Sequence, residues 1–263
     1  MAAEDAAIAF DNVRKVYDSA ERPALDGVSL TIAKGEFLAV VGASGSGKTT
    51  LMRLANRLTE PTAGTVQVGG ADVRSVDAVS LRRRIGYVFQ GIGLFPHMTV
   101  AENIAITPRL LGAGAPERGK RADELLDLMR LDPAEFRHRF PHELSGGQRQ
   151  RVGVARALGA KPQIVLMDEP FGALDPLTRD AVGQDYRELH HTLGLTTAMV
   201  THDIVEALLL ADRIAVMDKG RLVAHDTPHA LMQSREPAVR DLMQMPRRKS
   251  ERLAALQDRG TSP

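Results

Sequence analysis

The chain has 263 residues, of which 43% are hydrophobic and 25% charged, so wholesale disorder is excluded and a sizeable folded core is expected. Lys and Arg number 34 against 33 Asp and Glu, and the net charge of +1 gives no general attraction to nucleic acid or anionic lipid. The lack of cysteine in the sequence excludes disulfides, thiolate metal sites and cysteine nucleophiles.

Hydropathy gives no sign of a membrane anchor. The longest apolar runs, such as residues 37–41, are far shorter than the about 20 residues that a transmembrane helix needs. The early acids Glu4 and Asp5 are atypical of a secretory signal, which starts with a basic segment. We therefore expect a cytoplasmic protein that meets a membrane only through a partner.

The first third of the chain combines β-type patterns with one glycine-rich loop, which is followed by an amphipathic helix. The predicted strands are 8–13, 28–32, 37–41 and 85–90, with a hairpin over 65–73 and a helix over 48–58.

Beyond residue 90 the pattern becomes helical and then alternates again between strands and helices. The predicted helices are 117–131, 149–158, 176–193 and 204–211, and the predicted strands are 164–167, 197–200 and 214–217. This order predicts an α/β core with a mostly parallel sheet, interrupted by a helical insertion. We assign the core to 1–90 and 160–234, the helical insertion to 91–159, and a charged helical tail to 235–263.

Residues 42–49 match the phosphate-binding pattern G-x-x-x-x-G-K-[ST] and stand between a buried strand and a helix, as such a loop requires. The glycines let backbone N–H groups turn towards phosphate oxygens, and the helix N-terminus adds its dipole. Lys48 can reach the outer phosphates, and Thr49 can offer a hydroxyl to Mg²⁺. The alternative, a Gly/Ser turn without a ligand, does not explain this context.

Two further segments carry weaker signals of their own. The apolar run 164–167 ends in Asp168 and Glu169, where a P-loop fold places a metal-linked acid and a group that can polarise water. Ser145 is a good helix N-cap, and the glycines after it expose N–H groups at a positive helix end, which is a possible second anion site. Taken alone, each segment is more typical of a cap or turn without a ligand, and only the P-loop beside the two acids makes them a strong signal.

These segments, together with Gln90, residues 173–175 and His202, form the signature set of the ATP-binding cassette (ABC) ATPases, which the chain resembles from about residue 8 to 232. The resemblance implies a P-loop NTPase fold with a mixed, mostly parallel sheet, an antiparallel β subdomain and a helical insertion. It also implies ATP and Mg²⁺ as cofactors, and a head-to-tail pair of cassettes that holds two ATP molecules.

The resemblance assigns roles to single residues. It implies that Glu169 is the general base, that Gln90 senses Mg²⁺ and the attacking water, and that His202 contacts the γ-phosphate. Tyr17 corresponds to the aromatic residue that stacks on adenine, although the local pattern alone indicates only a tyrosine at a strand end. The other implied ATP contacts are Gly42, Ala43, Ser44, Gly45, Ser46, Gly47, Lys48, Thr49 and Thr50. The implied Mg²⁺ ligands are Thr49, Gln90 and Asp168, the implied contacts to the partner's ATP are Ser145, Gly146, Gly147 and Gln148, and the implied dimer loop contains Asp175.

Residues 90–100 resemble those of importer ATPases for glycine betaine, carnitine and choline. This implies membrane permease subunits, an extracytoplasmic solute-binding protein and a peripheral place on the cytoplasmic face of the inner membrane, with no nucleic acid partner. The main alternative is an importer ATPase for another solute, such as an amino acid or sulfonate. A cassette ATPase acting on DNA or ribosomes is less favoured, because this sequence has neither a long coiled-coil insertion nor a second cassette, and Glu169 and His202 argue against a regulatory module without turnover.

Some positions depart from the family pattern. Gly172 replaces a more usual Ser, Gly91 replaces a frequent Gln, and the residues after Met232 are too few for the ionic-strength-sensing domains of some relatives. Leu94, Phe95 and Met98 predict either an apolar cleft for a permease helix or ordinary packing within the insertion.

Overall fold

Two β-sheets organise the protein, and the computed structural model describes them within residues 6–18, 21–91 and 93–245. The strands are β1 Ala6–Lys15, β2 Leu25–Ala33, β3 Phe37–Gly42, β4 Ala63–Val68, β5 Ala71–Asp72, β6 Ile85–Val88, β7 Ile164–Asp168, β8 Thr196–Val200, β9 Arg213–Asp218 and β10 Arg221–Asp226.

Helices connect these strands and fill the insertion between β6 and β7. They are α1 Lys48–Ala55, α2 Ala78–Arg84, α3 Val100–Ile104, α4 Ile106–Leu110, α5 Ala115–Leu128, α6 Pro133–Phe136, α7 Gly146–Leu158, α8 Pro176–Leu193, α9 Ile204–Leu210 and α10 Pro228–Met232, with a 3-10 turn at Pro141–Glu143. Residues 237–245 are also helical. No helix in the described part of the chain is long and apolar enough to cross a bilayer.

The larger sheet has the order β10-β9-β3-β8-β7-β6, and all neighbours are parallel except the edge pair β10 and β9. Its central strand β3 is buried on both faces, as the strands of a covered parallel sheet are. Phe37 and Val41 pack into the core on the helical-insertion side, whereas Leu38 and Val40 pack into the core on the other side. The loop after β3 is therefore anchored from both layers.

The smaller sheet is antiparallel, with the order β2-β1-β4-β5. Helix α1 lies between the two sheets, because Leu51, Met52 and Leu54 share one buried cluster with Phe10 of β1 and Leu38 of β3. This packing holds the start of α1, and with it the glycine-rich loop, against the carboxyl end of β3.

The predicted fold class is confirmed, including the antiparallel subdomain and the helical insertion. The sequence did not predict α2, which buries only Leu81, the edge strand β10, which has no buried residue, or the short helix α10. The short helices α3, α4 and α6 lie within the predicted helical insertion but were not delimited. The predicted helix 48–58 ends at Ala55, since Arg57 takes a left-handed φ of 47°. The domain boundaries remain a prediction, and residues 1–5 and the basic tail from 246 lie outside the described residues.

Candidate active site

The glycine-rich loop between β3 and α1 is shaped by two positions that accept only glycine. Gly42 has φ 149°, and a Cβ there would lie 2.1 Å from the backbone oxygen of Met217. Gly47 has φ 101°, and a Cβ there would lie 2.5 Å from the backbone oxygen of Ala24. Both approaches are far below any tolerated contact, so these glycines let the loop pack directly on neighbouring backbone.

Lys48 begins α1 and folds its side chain back over the loop. Its Nζ donates hydrogen bonds to the backbone oxygens of Gly42 (2.8 Å) and Ala43 (2.9 Å). Burial lowers the pKa of Lys48, and the nearby carboxylates of Glu169 and Asp168 partly offset this effect. The ammonium group is thus held at the loop, where it can meet an anion.

The loop also contains a buried polar atom whose hydrogen bonding a ligand can satisfy. The hydroxyl of Ser46 is buried and has no hydrogen-bond partner in the described structure. The first turn of α1 adds N–H groups that an α-helix itself leaves unsatisfied. Together with Lys48, these donors fit the phosphate oxygens of a nucleotide.

Asp168 ends β7 beside the loop and is only 7% exposed. The hydroxyl of Thr49 donates to its Oδ1 over 3.2 Å. Burial raises the pKa of Asp168 and outweighs the opposing effect of this hydrogen bond. A hydroxyl and a buried carboxylate are the hard oxygen donors that Mg²⁺ prefers, so these two residues fit that ion, whose charge would offset the cost of the buried carboxylate.

Glu169 follows Asp168 in a left-handed backbone conformation, with φ 46°. Its backbone N–H donates to the oxygen of Val200 (2.9 Å), which fixes this uncommon geometry. Its Oε2 accepts a hydrogen bond from Nε2 of Gln90 (3.0 Å) and lies 3.4 Å from Nδ1 of His202. Three predicted site residues from three separate loops therefore meet at one carboxylate oxygen.

The segment 145–148 and Asp175 lie close together and form a second group of predicted site residues. Ser145 caps α7 and forms a reciprocal capping box with Gln148, and Asp175 caps α8 by accepting from the N–H of Thr178 (3.0 Å). A Cβ on Gly147 would lie 2.6 Å from Cγ2 of Thr178, so the two helix starts are in close contact. Within the described residues, no hydrogen bond joins segment 145–148 to the P-loop of the same chain.

Tyr17 is half-buried after β1, and Nζ of Lys15 lies 4.9 Å from its ring centroid. Thr50 lies in the first turn of α1. The roles that the resemblance implies for both residues stay predictions.

Two residues that organise the site loops were not singled out in the sequence. Asn103 is fully buried and bonds to the backbone of Phe95, Met98 and Thr99, which shapes the loop after Gln90. Arg179 contacts both the loop before α8 and the loop before α9. Its position one helical turn after the cap Asp175 is the only sequence signal that could have indicated it.

Comparison with known proteins agrees with this geometry. The ABC transporter family profile matches residues 25–172, more than half of the chain. The solved structure titled "Dimeric structure of a post-hydrolysis state of the ATP-binding cassette MJ0796 bound to ADP and Pi" superposes with a TM-score of 0.75 at 36% identity and covers 84% of this chain and 98% of that one.

Curated relatives point to the same family. The choline transport ATP-binding protein OpuBA of Bacillus subtilis is 50% identical over 88% of this chain, which spans 60% of the relative. The glycine betaine uptake system ATP-binding protein YehX of Escherichia coli is 46% identical over 86% of this chain and 72% of the relative. The chain thus spans about three fifths of some curated relatives it matches, and it belongs to the ABC transporter family.

Proposed function

We propose that the chain is an ATP-hydrolysing subunit that energises solute import through a membrane permease. The observation that supports this best is the meeting of Gln90 and His202 at Oε2 of Glu169, next to the Thr49–Asp168 pair. A carboxylate held there can accept a proton from a water molecule that attacks a terminal phosphate.

The residues around Glu169 divide the remaining tasks. Lys48, the Ser46 hydroxyl and the loop N–H groups bind the phosphates, and Tyr17 stacks on the adenine. Thr49, Asp168 and Gln90 hold Mg²⁺, which supplies charge compensation to the phosphate oxygens when it is bound. His202 contacts the γ-phosphate and, through its 3.4 Å approach to Glu169, keeps the base oriented.

Two cassettes pair head to tail in this proposal. The exposed cap residue Ser145 with Gly146, Gly147 and Gln148 binds the ATP held by the partner, because the positive end of α7 favours an anion. Asp175 is exposed next to this segment and contacts the partner's site. The dimeric arrangement of MJ0796 supports this pairing.

The test is Glu169→Gln. We expect hydrolysis to fall between about a hundredfold and ten-thousandfold, while ATP binding persists and the variant elutes as an ATP-dependent dimer in size-exclusion chromatography. Glu188→Gln, which changes a carboxylate that is 73% exposed on α8, is the matched control and should behave as the parent. Hydrolysis by Glu169→Gln at the parent rate would contradict the assignment of the base.

Glycine betaine, choline or a similar quaternary amine is the solute that we propose. The names of OpuBA and YehX support this class of solute, and residues 90–100 support the same group. The permease and an extracytoplasmic binding protein contact the solute, and this chain works at the cytoplasmic face of the inner membrane. Uptake of labelled glycine betaine by the reconstituted complex tests the assignment; uptake of an amino acid or sulfonate instead would contradict it.

Leu94, Phe95 and Met98 form the proposed contact with the permease. Asn103 fixes the backbone of this loop, while the Phe95 side chain stays 41% exposed beside the guanidinium of Arg156 (5.9 Å). Leu94 is half-buried against the core, and Met98 is half-buried and donates its backbone N–H to the oxygen of Phe95 (3.2 Å). We expect Phe95→Glu to abolish transport and to leave the ATPase activity of the separate subunit unchanged; loss of folding would instead indicate ordinary packing.

A further inference from the structure

Arg179 lies on the first turns of α8 and bonds to two different loops. Its Nη1 donates to Oδ2 of Asp203 over 3.0 Å. Its Nη2 donates to the backbone oxygen of Leu174 over 3.1 Å and approaches that of Gly172 at 3.5 Å. One planar guanidinium therefore joins the loop between β7 and α8 to the loop between β8 and α9.

The first of these loops connects the catalytic carboxylate to the dimer surface. The N–H of Gly172 donates to the backbone oxygen of Glu169 (3.3 Å), and three residues later Asp175 caps α8 at the exposed end. The carbonyls that Arg179 binds lie between these two points. A displacement of Asp175 by a partner cassette would therefore act on the segment that Arg179 holds.

The second loop carries His202. Asp203 caps α9 through Oδ1, which accepts from the N–H of Val205 (2.9 Å), and its own N–H donates to the hydroxyl of Thr201 (3.0 Å). Arg179 binds the other oxygen of Asp203, so this side chain caps α9 and pairs with Arg179 at the same time. His202 is thus flanked by two residues whose positions are fixed.

We propose that Arg179 is a positioning residue that transmits engagement of the partner cassette at Asp175 to the Glu169–His202 pair. The inference rests on the proposed function, and it assigns to Arg179 a role in turnover rather than in ATP binding. Arg179 reaches the site through its hydrogen bonds to Asp203 and Leu174 and its approach to Gly172. Its effect is therefore on the alignment of the base and the histidine.

The geometry requires arginine rather than any cation. The guanidinium presents its donors in a rigid plane, which allows a carboxylate and a carbonyl to be bound in fixed directions. The Arg179 side chain is 25% exposed, and its Nε is buried without a hydrogen-bond partner in the described structure, so the Nη1 and Nη2 contacts orient the guanidinium. A lysine can keep the charge pair with Asp203 but supplies a flexible point charge, which does not fix both loops.

The experiment compares Arg179→Ala with Arg187→Ala as the matched control. Arg187 is on the same helix and pairs with Asp212, away from the site loops. We expect Arg179→Ala to lower kcat between about tenfold and a hundredfold, while KM for ATP changes less than about twofold. In the Glu169→Gln background, the ATP-driven dimer should form at the same protein concentration with and without Arg179→Ala. Arg187→Ala should keep the parent kcat.

A double-mutant cycle tests whether Arg179 acts through Asp203. Asparagine remains a good helix N-cap, so Asp203→Asn removes the ion pair and keeps the start of α9. The double variant Arg179→Ala, Asp203→Asn should lose no more turnover than Arg179→Ala alone, because both changes break one link. Arg179→Lys should give an intermediate kcat.

Several results would overturn the inference: a parent-like kcat for Arg179→Ala or Arg179→Lys, additive losses in the cycle, an equal loss in Arg187→Ala, or failure of the ATP-driven dimer to form. Each of these results would mean that Arg179 only stabilises the structure or only supplies a positive charge. If the parent chain itself does not hydrolyse ATP, the proposed function fails first, and the inference falls with it.

Discussion

The amide of Gln90 donates a hydrogen bond of 3.0 Å to Oε2 of Glu169, although 79 residues separate them in the chain. The bond connects the end of β6 to the end of β7, and so connects the helical insertion to the carboxylate of the candidate base. We expect Gln90→Ala to lower kcat about tenfold by releasing this carboxylate, while the affinity for ATP measured without Mg²⁺ stays within about twofold of the parent. Steady-state hydrolysis and nucleotide titration measure both quantities.

The control for this change is Gln184→Ala, which removes a similar amide that bonds to an exposed aspartate, Asp180, on α8. It should hydrolyse ATP as the parent does. Equal activities of all three proteins would show that Gln90 has no part in orienting Glu169.

Asp168, the proposed Mg²⁺ ligand, is buried at a cost in stability. Burial raises its pKa, so the ionised form that prevails at neutral pH is disfavoured in the folded chain. Asp168→Asn should therefore raise the melting temperature of the nucleotide-free protein at pH 7, and this gain should shrink as the pH falls towards 4. Its Oδ1 can still accept from Thr49.

The same variant should lose the further stabilisation that Mg²⁺ and ATP give the parent. Thermal unfolding with and without both additions separates the two effects. A variant that is less stable than the parent without nucleotide, yet is fully stabilised by Mg²⁺ and ATP, would contradict the assignment.

Gly42 and Gly172 offer a matched pair for testing the loop geometry. A Cβ at Gly42 meets backbone at 2.1 Å, whereas a Cβ at Gly172 lies at ordinary distances of 3.6 Å and more from Glu169 and His202. We expect Gly42→Ala to destabilise the fold by at least about 2 kcal/mol, because backbone must shift. Gly172→Ala should change the free energy of unfolding by less than about 0.5 kcal/mol.

Gly172→Ser extends this comparison to the dimer. A serine fits at that position, and its hydroxyl can add one interface hydrogen bond. In the Glu169→Gln background, we expect Gly172→Ser to lower the protein concentration needed for ATP-driven dimerisation a few fold. Unchanged dimerisation would mean that the hydroxyl finds no partner there.

The half-buried Glu206 should make the stability of the nucleotide-free protein depend on pH. Burial raises its pKa, the hydrogen bond from Thr201 opposes this, and its Oε1 has no partner in the described structure. The folded state therefore binds this proton more tightly than the unfolded state, and stability is lost as the pH rises above the ordinary glutamate range. Glu206→Gln should be more stable than the parent at pH 7, with the difference closing near pH 4.5.

Thermal unfolding between pH 4.5 and 8 measures this difference. Asp180→Asn, on the exposed surface of α8, should follow the parent at each pH. A constant offset for Glu206→Gln across the range would show that the carboxyl does not titrate differently in the folded state.

Local patterns explain which parts of the molecule the sequence could predict. The phosphate loop, the strand before it and the cap at Ser145 are encoded by adjacent residues, and the structure contains each of them. Edge strand β10 and helix α2 were not predicted, because β10 has no buried residue and α2 has only one, so neither shows a clear pattern of buried positions. The contacts of Asn103 and Arg179 are determined by loops that only the tertiary fold brings together.

The double anchoring of β3 is shared by β7 and β8, whose buried residues also alternate between the two cores. Because none of these strands can slide without breaking a core, their carboxyl ends form one fixed frame for the phosphate loop, Asp168 and Thr201. In the proposed ATPase cycle, motion then belongs to the chain beyond this frame, in the loop after β6 that carries Gln90 and in the loops after β7 and β8 that carry Asp175 and His202. A probe attached to α1 should stay still while probes near Gln90, Asp175 and His202 report each ATP consumed.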